Sequence, residues 1–257
     1  MAYLGDAVGS VAVVDLEAAC ELYGRDALPY PLGRTRPVGS VWLLTRDVGP
    51  VEDRLRDGDL RGVRGWVKDL ARTDVSVSCR VSCPESDAPD RRLHAMVAGQ
   101  SGYLAVQRTA SDGVDTVDIY ALWPGETGAA IAELIGLTGP GAHARIAVTG
   151  CGDQLPEPAV DEYDALGFAV SDTGSGALVV DGDEVSAIGT IDVRDNVGNQ
   201  SLHWVTVRDD GDYLYAADDG YAEPIDAVML RRTLDELIGA AELPTSADGE
   251  LSFLEPS

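Results

Sequence analysis

Lysine is almost missing from this sequence: of 19 basic residues only Lys68 is a lysine. The bias towards arginine fits a GC-rich genome, and no mechanism follows from it. Basic residues of either kind are outnumbered by 44 acids, which leaves a formal net charge of -25. That charge argues against nucleic acid or an anionic membrane surface as partner, because each adds like-charge repulsion. It favours a dispersed protein with a cationic or apolar partner. No apolar run approaches the roughly 20 residues of a membrane-spanning helix. The opening residues, Met1 to Asp6, have neither the basic region nor the apolar run of a signal peptide. Cysteine is sparse as well: Cys20, Cys79, Cys83 and Cys151 show no C-x-x-C spacing. Reduced thiols in a cytoplasmic protein are the expectation, and 257 residues at 45% hydrophobic content supply a core without disulfides.

What is present is short alternating strands joined by tight turns, and the pattern occurs twice. The first run predicts strands at Val75–Val81, Arg92–Ala98, Tyr103–Arg108 and Thr116–Leu122, then a helix from Gly128 to Ile135 that stops at Gly136. The second predicts strands at Ala177–Asp181, Ser186–Arg194, Leu202–Arg208 and Tyr213–Ala217. Its turns are Asp181-Gly182, Gly198-Asn199, Asp210-Gly211 and Asp219-Gly220, residues that accept hairpin backbone angles. A last helix starts at Pro224 or Asp226, with Val228, Leu230, Leu234, Leu237 and Ile238 as its core contacts. Before the first run, Asp15 is a plausible N-cap for a helix from Leu16 to Tyr23. The prolines of Leu28-Pro29-Tyr30-Pro31-Leu32 hold an extended segment. Val38–Thr45 reads as a strand, Asp59–Arg72 and Pro158–Leu166 as helices, and Ala144–Thr149 as a strand closing the first half. Gly150–Glu157 is the expected junction and residues after Leu243 a frayed tail.

Candidate chemistry weighs little. Gly139-Pro140-Gly141-Ala142-His143-Ala144 fits G-x-G-x-x-A, but it follows a helix and precedes a strand, the reverse of a dinucleotide site. His94, His143 and His203 are widely spaced, and Cys79 and Cys83 would lie about 13 Å apart along a strand, too far to share an ion. Gly99-Gln100-Ser101-Gly102-Tyr103 lacks the final glycine of a nucleophile elbow. Asp209-Asp210-Gly211-Asp212 is too short for a calcium loop. No metal, no cofactor and no catalysis are therefore expected. The aromatic residues of the second run are more suggestive. Trp204 shares a strand face with Leu202 and could meet Tyr213 and Tyr215 across the pair. Those four residues either pack under the last helix or form a groove for an apolar partner segment.

The chain resembles the EspG family of ESX (type VII) secretion-associated proteins of actinobacteria. The likeness runs from Leu22-Tyr23-Gly24 and Leu28-Pro29-Tyr30-Pro31-Leu32 through Asp59-Leu60-Arg61, Trp66, Leu70-Ala71-Arg72 and Val75-Ser76-Val77. It continues at Arg91-Arg92-Leu93-His94-Ala95, Gly102 to Gln107, Gly189-Thr190-Ile191, Leu202-His203-Trp204, Asp210 to Tyr213 and the leucine-rich last helix. The resemblance implies an α+β fold in which a central antiparallel sheet is flanked by helical bundles, with two pseudo-symmetric halves. It implies a cytosolic chaperone that binds PE–PPE pairs and masks an apolar tip of the PPE partner. No catalytic residues carry over. The expected organisation is an N-terminal half over residues 1–149, a C-terminal half over 150–243 and a tail over 244–257, in one compact unit.

The resulting expectation is a non-enzymatic chaperone or adaptor for a helical secretion substrate, with Leu202, Trp204, Tyr213 and Tyr215 as client contacts. Two other readings stay open: a small-ligand or enzymatic α+β domain, and a homodimer joined through a sheet edge.

Overall fold

The segment Val75 to Ser82 alternates strictly between apolar and small polar or charged residues. A strand with that pattern buries one face and leaves the other without apolar surface. In the computed structural model, which describes residues 4, 6–36, 49–84, 86, 89–109, 113–151, 155, 162–163, 169–170, 177–215 and 220–242, this segment is strand β2 (Val75–Ser82), at the centre of a large mixed sheet. It follows β1 (Gly9–Ala12), α1 (Val13–Glu21), α2 (Val51–Arg56) and α3 (Arg64–Asp69). Next come β3 (Arg91–Ala98), β4 (Ser101–Thr109), β5 (Asp115–Leu122), α4 (Thr127–Ile135) and β6 (Ile146–Thr149). Two short strands, β7 (Glu162–Tyr163) and β8 (Ala169–Val170), pair with each other. Then come β9 (Leu178–Asp181), β10 (Val185–Arg194), β11 (Asn199–Val207), β12 (Gly211–Tyr215), β13 (Ala222–Pro224) and α5 (Ala227–Glu242).

The 11-stranded sheet has the order β1-β5-β4-β3-β2-β10-β11-β12-β13-β6-β9. Each meander is antiparallel, and β2 joins β10 antiparallel, with Ser76 opposite Arg194 and Cys79 opposite Ile191. All pairings in this sheet are antiparallel except β6–β9. The fold is thus α+β as expected, and strands from both halves share one sheet. The expected place of Ala177–Asp181 is corrected: β9 does not open the second meander but runs parallel to β6 at the far edge. The fourth strand of that meander is instead β13, three residues long.

One sheet face is covered by α4 and α5. Val75, Val77, Leu93, Ala95, Leu104, Ile191 and Trp204 meet Ile131, Ile135, Leu230, Leu234 and Ile238 in one core. The two helices approach closely at Gly128, where a Cβ would collide with the Asp235 carboxylate. Gly136 ends α4 in the left-handed conformation at φ 68°, and Asp226 caps α5 by accepting from the amides of Val228 and Met229. Val228, expected in the core, is 76% exposed: it sits on the solvent side of the first turn, while Leu230, Leu234 and Ile238 make the buried stripe.

The opposite face carries two separate cores. Leu16, Ala19, Cys20, Leu60, Trp66 and Val67 pack on Met96, Ala105, Val117 and Ile119 at one end. Ile188, Val205, Val207, Tyr213 and Tyr215 join Ile146 and Val148 at the other. Two helix boundaries here differ from expectation. Asp15 lies inside α1 rather than capping it, because its carboxylate is drawn to Arg54 at 3.1 Å. The single helix expected over Asp59–Arg72 is a 3₁₀ turn at Arg61–Val63, α3, and a second 3₁₀ turn at Leu70–Arg72. Gly62 presses against the Val8 carbonyl and Gly65 lies where a Cβ would be 2.7 Å from the Tyr103 hydroxyl. Close approach to the sheet decides the local geometry there. The expected strand Val38–Thr45 and tail after Leu243 lie outside the described residues, as does most of the expected junction Gly150–Glu157 and helix Pro158–Leu166. Of that last segment Glu162–Tyr163 is described, and it is strand.

The loop from α4 to β6 is held by side chains of the second meander. Asp212, fully buried, accepts from the amides of Thr138 (2.5 Å) and Gly139 (2.8 Å) and from the hydroxyls of Thr138 (2.9 Å) and Thr206 (2.6 Å). Asp210 accepts from Ala142 N–H and from the Tyr213 hydroxyl. The G-x-G-x-x-A stretch is therefore a clasped helix-to-strand turn. Replacing Asp212 with alanine strands several buried donors at once, and should destabilise the fold by at least about 3 kcal/mol, with Asp212→Asn markedly milder. Urea unfolding measures both; an unchanged midpoint for the alanine variant would remove the clasp from the account.

Candidate functional site

Between the two cores of the second face lies a stretch of sheet that no helix covers among the described residues. Its floor follows from strand register. Reading across β3, β2, β10 and β11, His94 stands opposite Ser78, Ser78 opposite Asp192, and Asp192 opposite Ser201. One step along, Met96, Ser76 and Arg194 form the neighbouring row. Apart from Met96, which is buried in the neighbouring core, these are the polar members of the alternating strands, so the same pattern that fills the helix-covered core leaves this stretch short of apolar anchors.

A cavity of about 1010 Å³ sits on this floor, lined by Ser76, Ser78, His94, Asp192 and Arg194. One wall is the proline segment, which is laid across the sheet and fixed to it strand by strand. Ser78 of β2 donates to Tyr30 O at 2.8 Å. Arg92 of β3 reaches Pro31 O, and Gln107 of β4 makes a two-way bond with the Gly33 amide and carbonyl. Asp115 of β5 accepts from the Thr35 amide and hydroxyl and from Thr109. Burial alone would raise the Asp115 pKa, but these bonds and nearby Arg92 outweigh it and hold the carboxyl below its usual value. Arg25, donating to Leu70 O at 2.9 Å, extends this wall. The other wall is the turn between β10 and β11, Asp195 to Asn199, where Asp195 accepts from the amides of Val197 and Gly198. Tyr30 and Val197, 56% and 80% exposed, stand on the two rims.

His94 closes the floor. It is 3% exposed, its Nδ1 has no hydrogen-bond partner, and burial followed by the charge of Arg25 pushes its pKa down to about 4. The imidazole is thus neutral at physiological pH. No group of three or more His, Cys, Asp or Glu side chains among the described residues is arranged to hold a metal ion, and no helix among them is long and apolar enough to cross a membrane. All four cysteines are unpaired.

The four residues singled out from the sequence are not brought together. Trp204 faces the helix-covered core with Leu202, which is half-buried. Its partner across the ladder is Leu214, while Tyr213 lies opposite Val205 and Tyr215 opposite His203. The tyrosines therefore point to the other face, and the expected meeting with Trp204 fails by one residue of register. Trp204, Tyr213 and Tyr215 are each 2% exposed or less. The indole lies on Gly189, where a Cβ would collide with ring carbons Cη2, Cζ2 and Cζ3. Tyr213 covers Gly141 in the same way, and burial pushes both tyrosine hydroxyls up to about 12. The residues that do line the trough, Ser76, Ser78, Asp192 and Arg194 with the buried His94 beneath, were not predicted as one site. The signal was present in the Val-Ser alternation of β2 and the polar positions of β10.

Two measurements follow. Trp204→Ala should destabilise by about 3–5 kcal/mol and Gly189→Ala by about 1–3 kcal/mol. The double variant should lose less than the sum, because removing the indole makes room for the new methyl; strict additivity in denaturant unfolding would contradict the contact. His94 binds its proton more weakly folded than unfolded, where its pKa is about 6.5. Its contribution is therefore complete above about pH 6.5 and fades as pH falls to about 4, by up to about 3 kcal/mol. His94→Gln should flatten the stability profile in that window, and an unchanged slope relative to wild type would show that His94 does not titrate there.

No curated protein sequence matches the chain. The sequence model of the EspG family matches residues 12–216, which includes the proline segment, both walls and the floor of the trough. The chain belongs to the EspG family and is a type VII secretion-associated protein.

Proposed function

We propose that this protein is a non-enzymatic, cytoplasmic chaperone or adaptor that binds a helical type VII secretion substrate of the PE–PPE kind before export. The observation that carries this reading is the open trough between two packed lobes at the centre of the sheet. A floor held by ladder hydrogen bonds and walls pinned by side chains present a preformed surface, so binding need not pay to order it. Two polar groups of the floor are engaged in holding the chain: Asp192 accepts from the Ser201 hydroxyl at 2.5 Å, and Ser78 donates to Tyr30 O. They do not form a nucleophile–base pair among the described residues. That favours recognition over catalysis. We further infer that the two meander-and-helix units are related by a pseudo-twofold passing through the β2–β10 junction. Supporting it are the antiparallel β2–β10 pairing and the shared core of α4 and α5. Helical bundles flanking the sheet, with the two halves in one compact unit, complete this reading.

The client contacts expected at Leu202, Trp204, Tyr213 and Tyr215 move accordingly. Three of the four are sealed in the cores, and we place the client on Ser76, Ser78, Asp192 and Arg194 instead.

Co-expression with small helical proteins encoded beside this gene tests the proposal. A stoichiometric complex should survive size exclusion, and Ser76→Trp, which fills the trough from a half-buried position, should weaken it at least tenfold with unchanged thermal stability. A complex indifferent to that substitution would place the client elsewhere. Recovery of a bound metabolite in place of a helical partner would favour a small-ligand protein.

A further inference from the structure

The two edges of the 11-stranded sheet are finished differently. At one, the start of β1 is pressed against the 3₁₀ turn Arg61–Val63: a Cβ on Gly62 would collide with the Val8 carbonyl, and one on Gly9 with the Val63 side chain. Within β1 only Ser10 is exposed. At the other edge lies β9, where Leu178 and Val179 are 43% and 45% exposed. Among the described residues these are the only large apolar side chains of any strand that are exposed. Edge strands are ordinarily blunted by a charge, a proline or a bulge. The run Ala177-Leu178-Val179-Val180 has no charge and no proline, and its register with β6 is unshifted.

The ladder with β6 decides which backbone groups of β9 face outward. Leu178 N–H donates to the Arg145 carbonyl at 3.1 Å. Alternation therefore turns the polar groups of Leu178 and Val180 towards β6 and those of Val179 and Asp181 away from it. The Asp181 amide is taken by the Glu184 carboxylate at 3.2 Å. That leaves Val179 with a donor and an acceptor directed at the place of a further strand, and no strand among the described residues lies there. The side chains say what would fit. Leu178 shares a face with Val180, which is buried with Ile146 and Val148, and Val179 stands on the opposite face. A strand beside β9 thus meets apolar surface on both sides, and suits consecutive apolar residues rather than an alternating pattern. A second copy fits less well. It would set two chains of net charge -25 together over four residues each, too short a contact for the roughly 1,200–2,000 Å² of a stable interface.

We infer that β9 is an augmentation edge, which takes an extended segment of consecutive apolar residues from a partner protein as an added strand. The inference goes beyond the client reading and needs neither the trough nor its occupant. The full-length protein is titrated with a disulfide-cyclised hairpin peptide presenting Thr-Val-Val-Val-Thr along its free edge, a shape already ordered for pairing. One control peptide carries an N-methyl group on the central valine, and another has Ser-Thr-Ser in place of the valines. Hydrogen exchange and ¹⁵N–¹H shifts are read at β9. In the free monomer the Val179 amide should exchange at least about tenfold faster than those of Leu178 and Val180. The valine hairpin should shift it saturably and slow its exchange, with affinity about tenfold or more above either control. Val179→Pro removes an outward donor and no bond to β6, and should abolish binding while leaving the amide shifts of β6 in place. Slow exchange at Val179 in the free monomer would show the edge closed by the chain itself, and slow exchange that appears only with self-association would assign it to a second copy. Either result overturns the inference, as does equal binding of the N-methyl peptide or undiminished binding to Val179→Pro. None of these outcomes bears on whether a helical client occupies the trough.

Discussion

Everything in this protein hangs on the antiparallel pairing of β2 with β10. It is the seam between two meanders that would otherwise be separate small sheets, each with an unpaired edge. The seam also fixes what each sheet face can do. On one side Val75, Val77, Cys79, Ile191 and Val193 form an unbroken apolar surface, which α4 and α5 cover together. On the other side the same strands present Ser76, Ser78, Arg80, Thr190, Asp192 and Arg194. A helix laid there would have no apolar surface to bury, so cover is found only farther out, over β3 to β5 and over β11 to β12. The trough is a consequence of alternation at the seam.

Long connections in so large a sheet have to be tethered by something other than ladder bonds, and acidic side chains do much of this. Asp212 gathers the loop after α4, and Asp115 gathers the end of the proline segment, each through several donors. Gln107 makes the equivalent clasp without charge. A buried carboxylate is tolerated in such places because backbone amides and hydroxyls replace its hydration. These acids are a small part of the 44, and they would be indistinguishable from solvated ones in a list of residues. Their role appears only once Thr138 and Asp212, 74 positions apart, are brought together.

The strands were legible because their periodicity is local. The first meander, the second from Ser186 onward and the C-terminal helix all lie within a few residues of the sequence expectation. What failed was non-local. Parallel pairing of β9 with β6 leaves no trace in either segment. The break of Asp59–Arg72 into 3₁₀ and α pieces comes from contacts of Gly62 with Val8 and Gly65 with Tyr103. Trp204 and the two tyrosines fell to opposite faces because parity between strands is set by the turn Arg208 to Gly211, where Asp209 takes a left-handed φ of 58°. A one-residue difference in that turn inverts the prediction. The trough itself was readable in the Val-Ser pattern of β2, but large aromatic residues attract attention as binding groups even where they are ordinary core.

That reversal bears on how recognition is built here. An apolar groove would hold a client by burial, and would be as sticky towards misfolded chains as towards the right one. A trough floored by two hydroxyls, one carboxylate, a guanidinium and a neutral imidazole gains little from generic apolar surface. On the proposed reading it would discriminate by leaving polar groups unpaired when the wrong segment enters, a penalty steeper than the loss of one apolar contact. The two exposed rim residues, Tyr30 and Val197, add limited apolar area. They sit on a proline segment and a tight turn that are both locked to the sheet, so their positions are fixed before any partner arrives. On the proposed reading, rigid walls with a polar floor would trade affinity for selectivity.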